Sequence, residues 1–271
     1  MFKAKYLSGP YLLWAIIFVI IPLGLVFFFS FTNESGAFTF DNIIATKNYL
    51  PTMLLSFRLA IISTIICLVI SYPLSYIISR AKAGKQNIFI MLIMLPMWMN
   101  FLLRTYGWMT ILEDKGTINS ILTFLNIAPL HMINTEGAVI LGMVYNYLPF
   151  MVLPLYSIMV KIDESTIEAA QDLGANPTNV LRKVILPLSL PGIFTGITMV
   201  FVPSVSTFMI SRMLGGGSNM MIGDLIENQF IGSAYNPYLG SALSLVLMAI
   251  ILVVMGIINR FDNEDMEGML I

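Results

Sequence analysis

The chain has one cysteine and one histidine in 271 residues, and only 11% of its residues are charged. Each shortage removes a class of function. Cys67 alone forms no intrachain disulfide and no thiolate metal cluster. It lies in the apolar run STIICLVISY, where it reads as a small core or lipid-facing residue. His131 alone supplies neither a His-based triad nor a two-His metal site within one chain. The adjacent carboxylates Glu113–Asp114 and Glu264–Asp265 fall in polar connecting segments and read as solvated rather than catalytic. A phosphate loop needs G-x4-G-K-[ST], and the GGGS at 215–218 lacks that lysine. Neither an enzyme nor a cofactor or metal is expected. The formal net charge of −1 says little about partners, because the signs are segregated along the chain; no nucleic-acid partner is expected.

What the chain has instead is apolar residues, 58% of the total, where an ordinary soluble domain is about a quarter charged. Six apolar runs stand out, at roughly 10–31, 52–79, 88–112, 137–160, 187–210 and 238–260. Each is near or above the about 20 residues that a helix needs to cross a bilayer. The first run is too long for a signal peptide and ends in bulky Phe residues rather than a small-residue cleavage site, so it reads as a retained span. Pro22, Pro73, Pro96, Pro149, Pro154, Pro191 and Pro203 sit in the runs, and proline is tolerated there when neighbouring helices re-satisfy the freed carbonyls. The expectation is an all-α membrane protein, one domain over residues 1–271, with six transmembrane helices packed as a bundle in membrane lipid. None of the runs carries a central Asp or Glu, the usual ligand of ion-coupled transport. A secondary transporter or channel is therefore the weaker alternative.

Orientation follows from Lys and Arg. With the N-terminus in the cytoplasm, that side receives Lys3, Lys5, Arg80, Lys82, Lys85, Lys161, Arg182, Lys183 and Arg260, nine of the fourteen basic residues. Both termini are then cytoplasmic, and so is the polar segment at 161–186. The segment GGGSNMMIGDLIENQF after the fifth run reads as a mobile turn into a short helix.

The polar segment DESTIEAAQDLGANPTNVLRKVILPLSLPG stands out against its apolar flanks. Ser165-Thr166-Ile167-Glu168 fits a capping box with Glu168 at the third helical position, and Asp163 is an alternative cap. Ile167, Ala170 and Leu173 share one face of the short helix. Gly174 is placed to end it in a left-handed turn. Asn176 and Pro177 read as the cap and first residue of a second helix that runs back into the membrane. The small residues Ala169 and Ala170 beside Gly174 allow another surface to approach closely, so the segment reads as a docking knob.

Glu168-Ala169-Ala170, three residues, Gly174, nine residues, Val184, one residue and Leu186-Pro187 resemble the EAA loop of permease subunits of bacterial ABC importers, whose pattern is E-A-A-x3-G-x9-I-x-L-P. Val184 in place of Ile is the one departure. The stretches LPMWMNFLLRTYGWMTILEDKGTIN, YNYLPFMVLPLYS and GGGSNMMIGDLIENQF are similar to the spermidine/putrescine permease branch. The resemblance implies a cytoplasmic coupling helix-turn-helix between the fourth and fifth spans, with Glu168, Ala169, Ala170 and Gly174 at the ATPase contact. It implies a bacterial inner membrane, two copies of an ATP-binding subunit, a second permease subunit and an extracellular or periplasmic solute-binding protein. The cargo it implies is a small polyamine.

A path for that cargo has candidates in the spans. Arg104 is an intramembrane cation, with Asn100 four residues earlier on the same face. Tyr145, Asn146 and Tyr147 place polar tips in the fourth span, and Ser204, Ser206 and Thr207 in the fifth. Aromatic faces attract ammonium groups. Arg58 and Arg104 would repel a polycation and favour sulfate or phosphate, unless Arg104 pairs with Glu113 or Asp114.

Overall fold

The computed structural model describes residues 9–268, which are helices joined by short turns with no strand among them. The long helices are α1 (Gly9–Ser30), α2 (Leu50–Ser79), α6 (Glu136–Met159), α8 (Pro177–Ser206) and α11 (Pro237–Gly268). Shorter helices lie between them: α3 (Ala83–Trp98), α4 (Phe101–Leu112), α5 (Thr117–Phe124), α7 (Glu164–Asp172), α9 (Met209–Leu214) and α10 (Ile222–Phe230). Five stretches are long and apolar enough to cross a membrane, and the bent pair 83–98 and 101–124 makes six if it counts as one span.

The third run does not form the straight span that hydropathy suggests. α3 and the stretch 101–124 that carries α4 and α5 are bent by 88° to each other. Pro96 lies inside α3 near its end, and Met99 and Asn100 turn extended (ψ 148° and 129°). The Asn100 side-chain oxygen then accepts from the N–H groups of Leu102 and Leu103 at 2.9 and 3.3 Å, capping the new helix. Asn100 is thus the cap at the bend and not a rung on one continuous face with Arg104. The fifth run also stops short of its expected end at 210. α8 ends at Ser206, Thr207 is extended (ψ 141°), and α9 begins two residues later. Pro73, Pro149, Pro154, Pro191 and Pro203 all ride inside unbroken helices.

The described residues fall into two compact units. One comprises residues 9–53 and 225–253. Its helix α1 is apolar all round, and none of its hydropathic window is buried, which suits a helix surrounded by hydrocarbon. Asn42 satisfies the carbonyls at the end of α1, donating to Phe29, Ser30 and Thr32 at 3.4, 3.3 and 2.8 Å. The other unit comprises residues 54–224 and 254–268. Its core is α6 against α8, where glycines let the backbones approach. A Cβ at Gly196 would lie 2.5 Å from the Met151 sulfur, and one at Gly192 3.0 Å from the Pro154 carbonyl. A stripe of buried serines on α2 faces α6. Ser75 donates to the Val152 carbonyl at 3.2 Å, and Ser63 reaches the Met143 sulfur at 3.2 Å. Cys67 is fully buried in this core.

Candidate functional site

Two places gather the residues singled out by sequence. The first is the polar island after α6. Its own small core is Ile162, Ile167, Val180 and Ile185, with Tyr76, Ala170 and Ala175 packed on it. α7 starts two residues earlier than the capping-box reading requires. Asp163 is its N-cap, and Ser165 lies inside the first turn. The box is therefore not formed: Ser165, whose N–H Glu168 would cap, is itself helical. The Asp163 side chain makes no cap bond either. Glu168 and Ala169 are exposed. Leu173, expected on the face with Ile167, is 89% exposed. It follows the last helical residue, where the chain has already begun to leave the helical path. Gly174 adopts φ +84°, and a Cβ there would meet nothing within 4 Å. Asn176 caps the next helix by accepting from the Asn179 N–H at 2.8 Å, with Pro177 first in the helix. The island thus projects Glu168, Ala169, Leu173 and Gly174 outward. Its shape is held by the turn and by the four-residue core beneath.

The second place is where the break after α8 approaches α6. Tyr147 is buried, and its hydroxyl donates to the Pro203 carbonyl at 3.4 Å. Thr207, where the chain turns extended, is four residues beyond Pro203 and is itself buried. Tyr147 thus meets α8 just before its break. Asn146 is 2% exposed and donates to the Gly142 carbonyl at 2.8 Å, while its side-chain oxygen has no hydrogen-bond partner among the described residues. Arg104 Nε and Nη1 are also buried without a partner there. Tyr145 does not join this cluster. It meets Trp108 edge-on at 5.4 Å, beside an apolar groove lined by Ile66, Ile70 and Ile140. Ser204 and Ser206 bond back to carbonyls four residues earlier in α8, so they are satisfied within their own helix.

The charges pair differently from the sequence expectation. Arg58 forms an ion pair with Glu136. Asp114 pairs with His131 at 2.9 Å, not with Arg104.

Asp224 escaped the sequence reading. It is 3% exposed. Its Oδ2 accepts from the Ser211 hydroxyl at 2.5 Å and the Met221 N–H at 2.9 Å, while Oδ1 lies 3.9 Å from Arg212 Nε. Burial raises its pKa above the ordinary carboxylate value of 3.8, opposed by those two donors and by Arg212. The carboxylate ties α9 to the start of α10. Next to it, Gly223 lies so close to the break that a Cβ would come within 2.5 Å of the Ser206 carbonyl. Two glycines of the GGGS turn are closely packed: a Cβ at Gly215 would lie 2.6 Å from the Ser211 carbonyl, and Gly216 takes φ +50°, where a Cβ would collide with Asn134 at 2.3 Å. The available signal was an Asp three residues after Met221 at a helix start, the position from which a carboxylate reaches back to the cap N–H. No group of three or more His, Cys, Asp or Glu is placed to hold a metal among the described residues.

Residues 7–264 match the family described as the binding-protein-dependent transport system inner membrane component. The chain is 38% identical to the spermidine/putrescine transport system permease protein PotB of Haemophilus influenzae, covering 94% of this chain and 93% of that one. It is 34% identical to the protein of that name from Escherichia coli, covering 94% and 97%. Among solved structures, a bacterial ABC transporter involved in the import of the acidic polysaccharide alginate superposes with a TM-score of 0.81 at 14% identity, covering 96% of this chain and 95% of that one. The MetNI methionine ABC transporter in an inward-facing conformation gives 0.59 at 16% identity, covering 80% and 95%. At these identities the structures establish the fold alone.

Proposed function

We propose that this chain, which belongs to the binding-protein-dependent transport system inner membrane components, is one permease subunit of an ATP-driven importer of spermidine or putrescine. The substrate class is that named for the PotB relatives, which align over nearly the whole chain. In this reading six spans place both termini and the island at 161–186 in the cytoplasm, in keeping with the distribution of Lys and Arg. A binding protein delivers the cargo from outside, a second permease completes the pore, and two ATP-binding subunits supply the energy.

The observation that carries the coupling role is the island itself. An exposed surface of Glu168, Ala169, Leu173 and Gly174 stands on a short helix too polar to enter lipid, between two apolar helices. Glu168 makes no cap bond, so its carboxylate is available to a partner. Movement of the island passes directly into α6 and α8, the two helices to which it is joined by the chain. Those helices carry Tyr147 and the break at Thr207, so an ATPase that shifts the island shifts the walls of the proposed path. There, interrupted helices expose backbone and polar groups at a site of passage. Arg104, Asn146 and Tyr147 line that path, with Asn100 setting the bend before Arg104. Tyr145 belongs to a different wall, beside Trp108. Weak aromatic and amide contacts suit a cargo that must leave as readily as it enters.

One observation favours an anion permease for sulfate or phosphate instead: the buried donors of Arg104 have no acceptor among the described residues. The Arg58 charge no longer counts in its favour, since Glu136 takes it.

The test of coupling is Glu168→Lys in the complete complex. Transport should fall, and ATP hydrolysis should either fall with it or lose its dependence on cargo. Unchanged cargo-dependent hydrolysis and unchanged transport would refute the docking role.

A further inference from the structure

Arg80 follows the last residue of α2 and reaches across to the root of the island. Its Nη1 donates to the Ile162 carbonyl at 2.9 Å and its Nη2 to the Met159 carbonyl at 3.3 Å. Its guanidinium carbon lies 5.7 Å from the centre of the Tyr76 ring. Met159 is the last residue of α6, and Ile162 is the first member of the island's core. Carbonyls at a helix C-terminus have no partner within the helix and carry partial negative charge, so a cation is favoured there. A guanidinium fork reaches two carbonyls at once, which a lysine ammonium does with less geometric control.

A second tie lies alongside. Gln86 Nε2 donates to the carbonyls of Ser79 and Ala81 at 3.0 and 2.7 Å, and its side-chain oxygen accepts from the Tyr156 hydroxyl at 3.1 Å. Next to these ties, a cleft of about 420 Å³ opens between Tyr72, Tyr76 and Ile77 of α2 and Gln171, Thr178 and Leu181 of the island. The island and α2 therefore touch over a narrow seam, and Arg80 holds one end of it.

We propose that Arg80 is a positioning residue for energy coupling, the strut by which a displacement of the island reaches α2. The island is joined covalently to α6 and α8 but not to α2. Ser75–Val152 and Tyr72–Ser189 hold α2 to α6 and α8 further back along the helix, but at the root of the island the end of α2 is met by Arg80, Tyr76 and the Gln86 tie. Without the two bonds from Arg80, part of the island's motion is lost into the cleft. This inference rests on the coupling role of the island.

The experiment compares Arg80→Ala, Arg80→Gln and Arg80→Lys with wild type in the complete complex, reconstituted in proteoliposomes. Cargo uptake and ATP hydrolysis are measured in the same vesicles, and Glu168→Lys is carried beside them. The assembled Arg80→Ala complex should hydrolyse ATP but move several-fold less cargo per ATP, with Arg80→Lys between it and wild type. That graded ratio is what a residue needed only for folding would not produce. If Arg80→Ala does not assemble, the same ratio in Arg80→Gln and Arg80→Lys decides. A wild-type ratio in the assembled variants, with Glu168→Lys altered, overturns the strut and leaves the coupling role standing. A wild-type ratio in the Arg80 variants together with wild-type uptake and wild-type cargo-dependent hydrolysis in Glu168→Lys overturns both.

Discussion

Replacing Gly174 separates the shape of the island from its contact with a partner. At φ +84° the residue occupies the left-handed region. An L-residue there costs about 1–2 kcal/mol, while glycine costs nothing extra. Nothing lies within 4 Å of a Cβ built at this position, so no clash inside the chain adds to the cost. The penalty for Gly174→Ala is then the backbone term alone, which lowers the population of the native turn by roughly 5–30-fold relative to its alternatives. Asn tolerates the left-handed turn, so Gly174→Asn keeps the shape while adding a side chain to the exposed surface. Gly174→Asp keeps much of the turn and adds a charge. The assay is cargo-stimulated ATP hydrolysis, with uptake, in the assembled complex. Gly174→Ala should lose coupling through shape. If the surface docks closely on a partner, Gly174→Asn and Gly174→Asp should lose it too, Asp the more. Wild-type activity in all three would refute the reasoning, because neither the turn nor the bare surface would then matter.

Other perturbations test other parts. In a Cys67→Ser background, single cysteines at Lys82 and Asn179 should resist an impermeant thiol reagent applied to intact cells, and those at Lys47 and Lys115 should react; labelling of the Asn179 site from outside contradicts the proposed orientation. Tyr147→Phe removes one hydroxyl from the cluster at the α8 break, a loss of about 0.5–1.5 kcal/mol if only a hydrogen bond is at stake, and uptake should slow more than melting shifts. Tyr145→Ala should slow uptake less than Tyr147→Ala, since Tyr145 packs on Trp108; the reverse order refutes the placement of the path. Asp224 has a folded pKa raised above 3.8, so the native state holds its proton to higher pH than the unfolded chain does. Its charge costs stability above the raised folded value, and that cost fades as pH falls towards 3.8. The melting temperature of wild type relative to Asp224→Asn should therefore rise on acidification over that window; a difference independent of pH contradicts the burial argument.

The parts of this molecule that sequence discloses are the local ones. Gly174 and Pro177 act through their own backbone and Asn176 through a cap bond three residues on, and each appears in the expected place. The capping box failed because Asp163 and Ser165 both suit an N-cap, and the choice between them depends on how the chain leaves α6. The bend at Met99–Asn100 was hidden for a similar reason. Pro96 looks like Pro149 or Pro191 in the sequence, yet those prolines sit in helices whose neighbours hold them, and Asn100 supplies a cap that stabilises a break. Tyr145 and Tyr147 are two residues apart, about 200° around a helix, so they were never able to share one wall. Asp224 and Arg80 are tertiary. Their carboxylate and guanidinium reach partners 13 and about 80 residues away, and no short window contains both ends.

The most direct measurement is ATP-dependent uptake by the complete complex, reconstituted with its binding protein and offered radiolabelled spermidine, putrescine, sulfate and phosphate. Uptake of a polyamine and of neither anion is expected, with Arg104→Ala leaving that preference unchanged even if the rate falls. Uptake of sulfate or phosphate that disappears in an assembled Arg104→Ala complex, with no uptake of either polyamine, would contradict it.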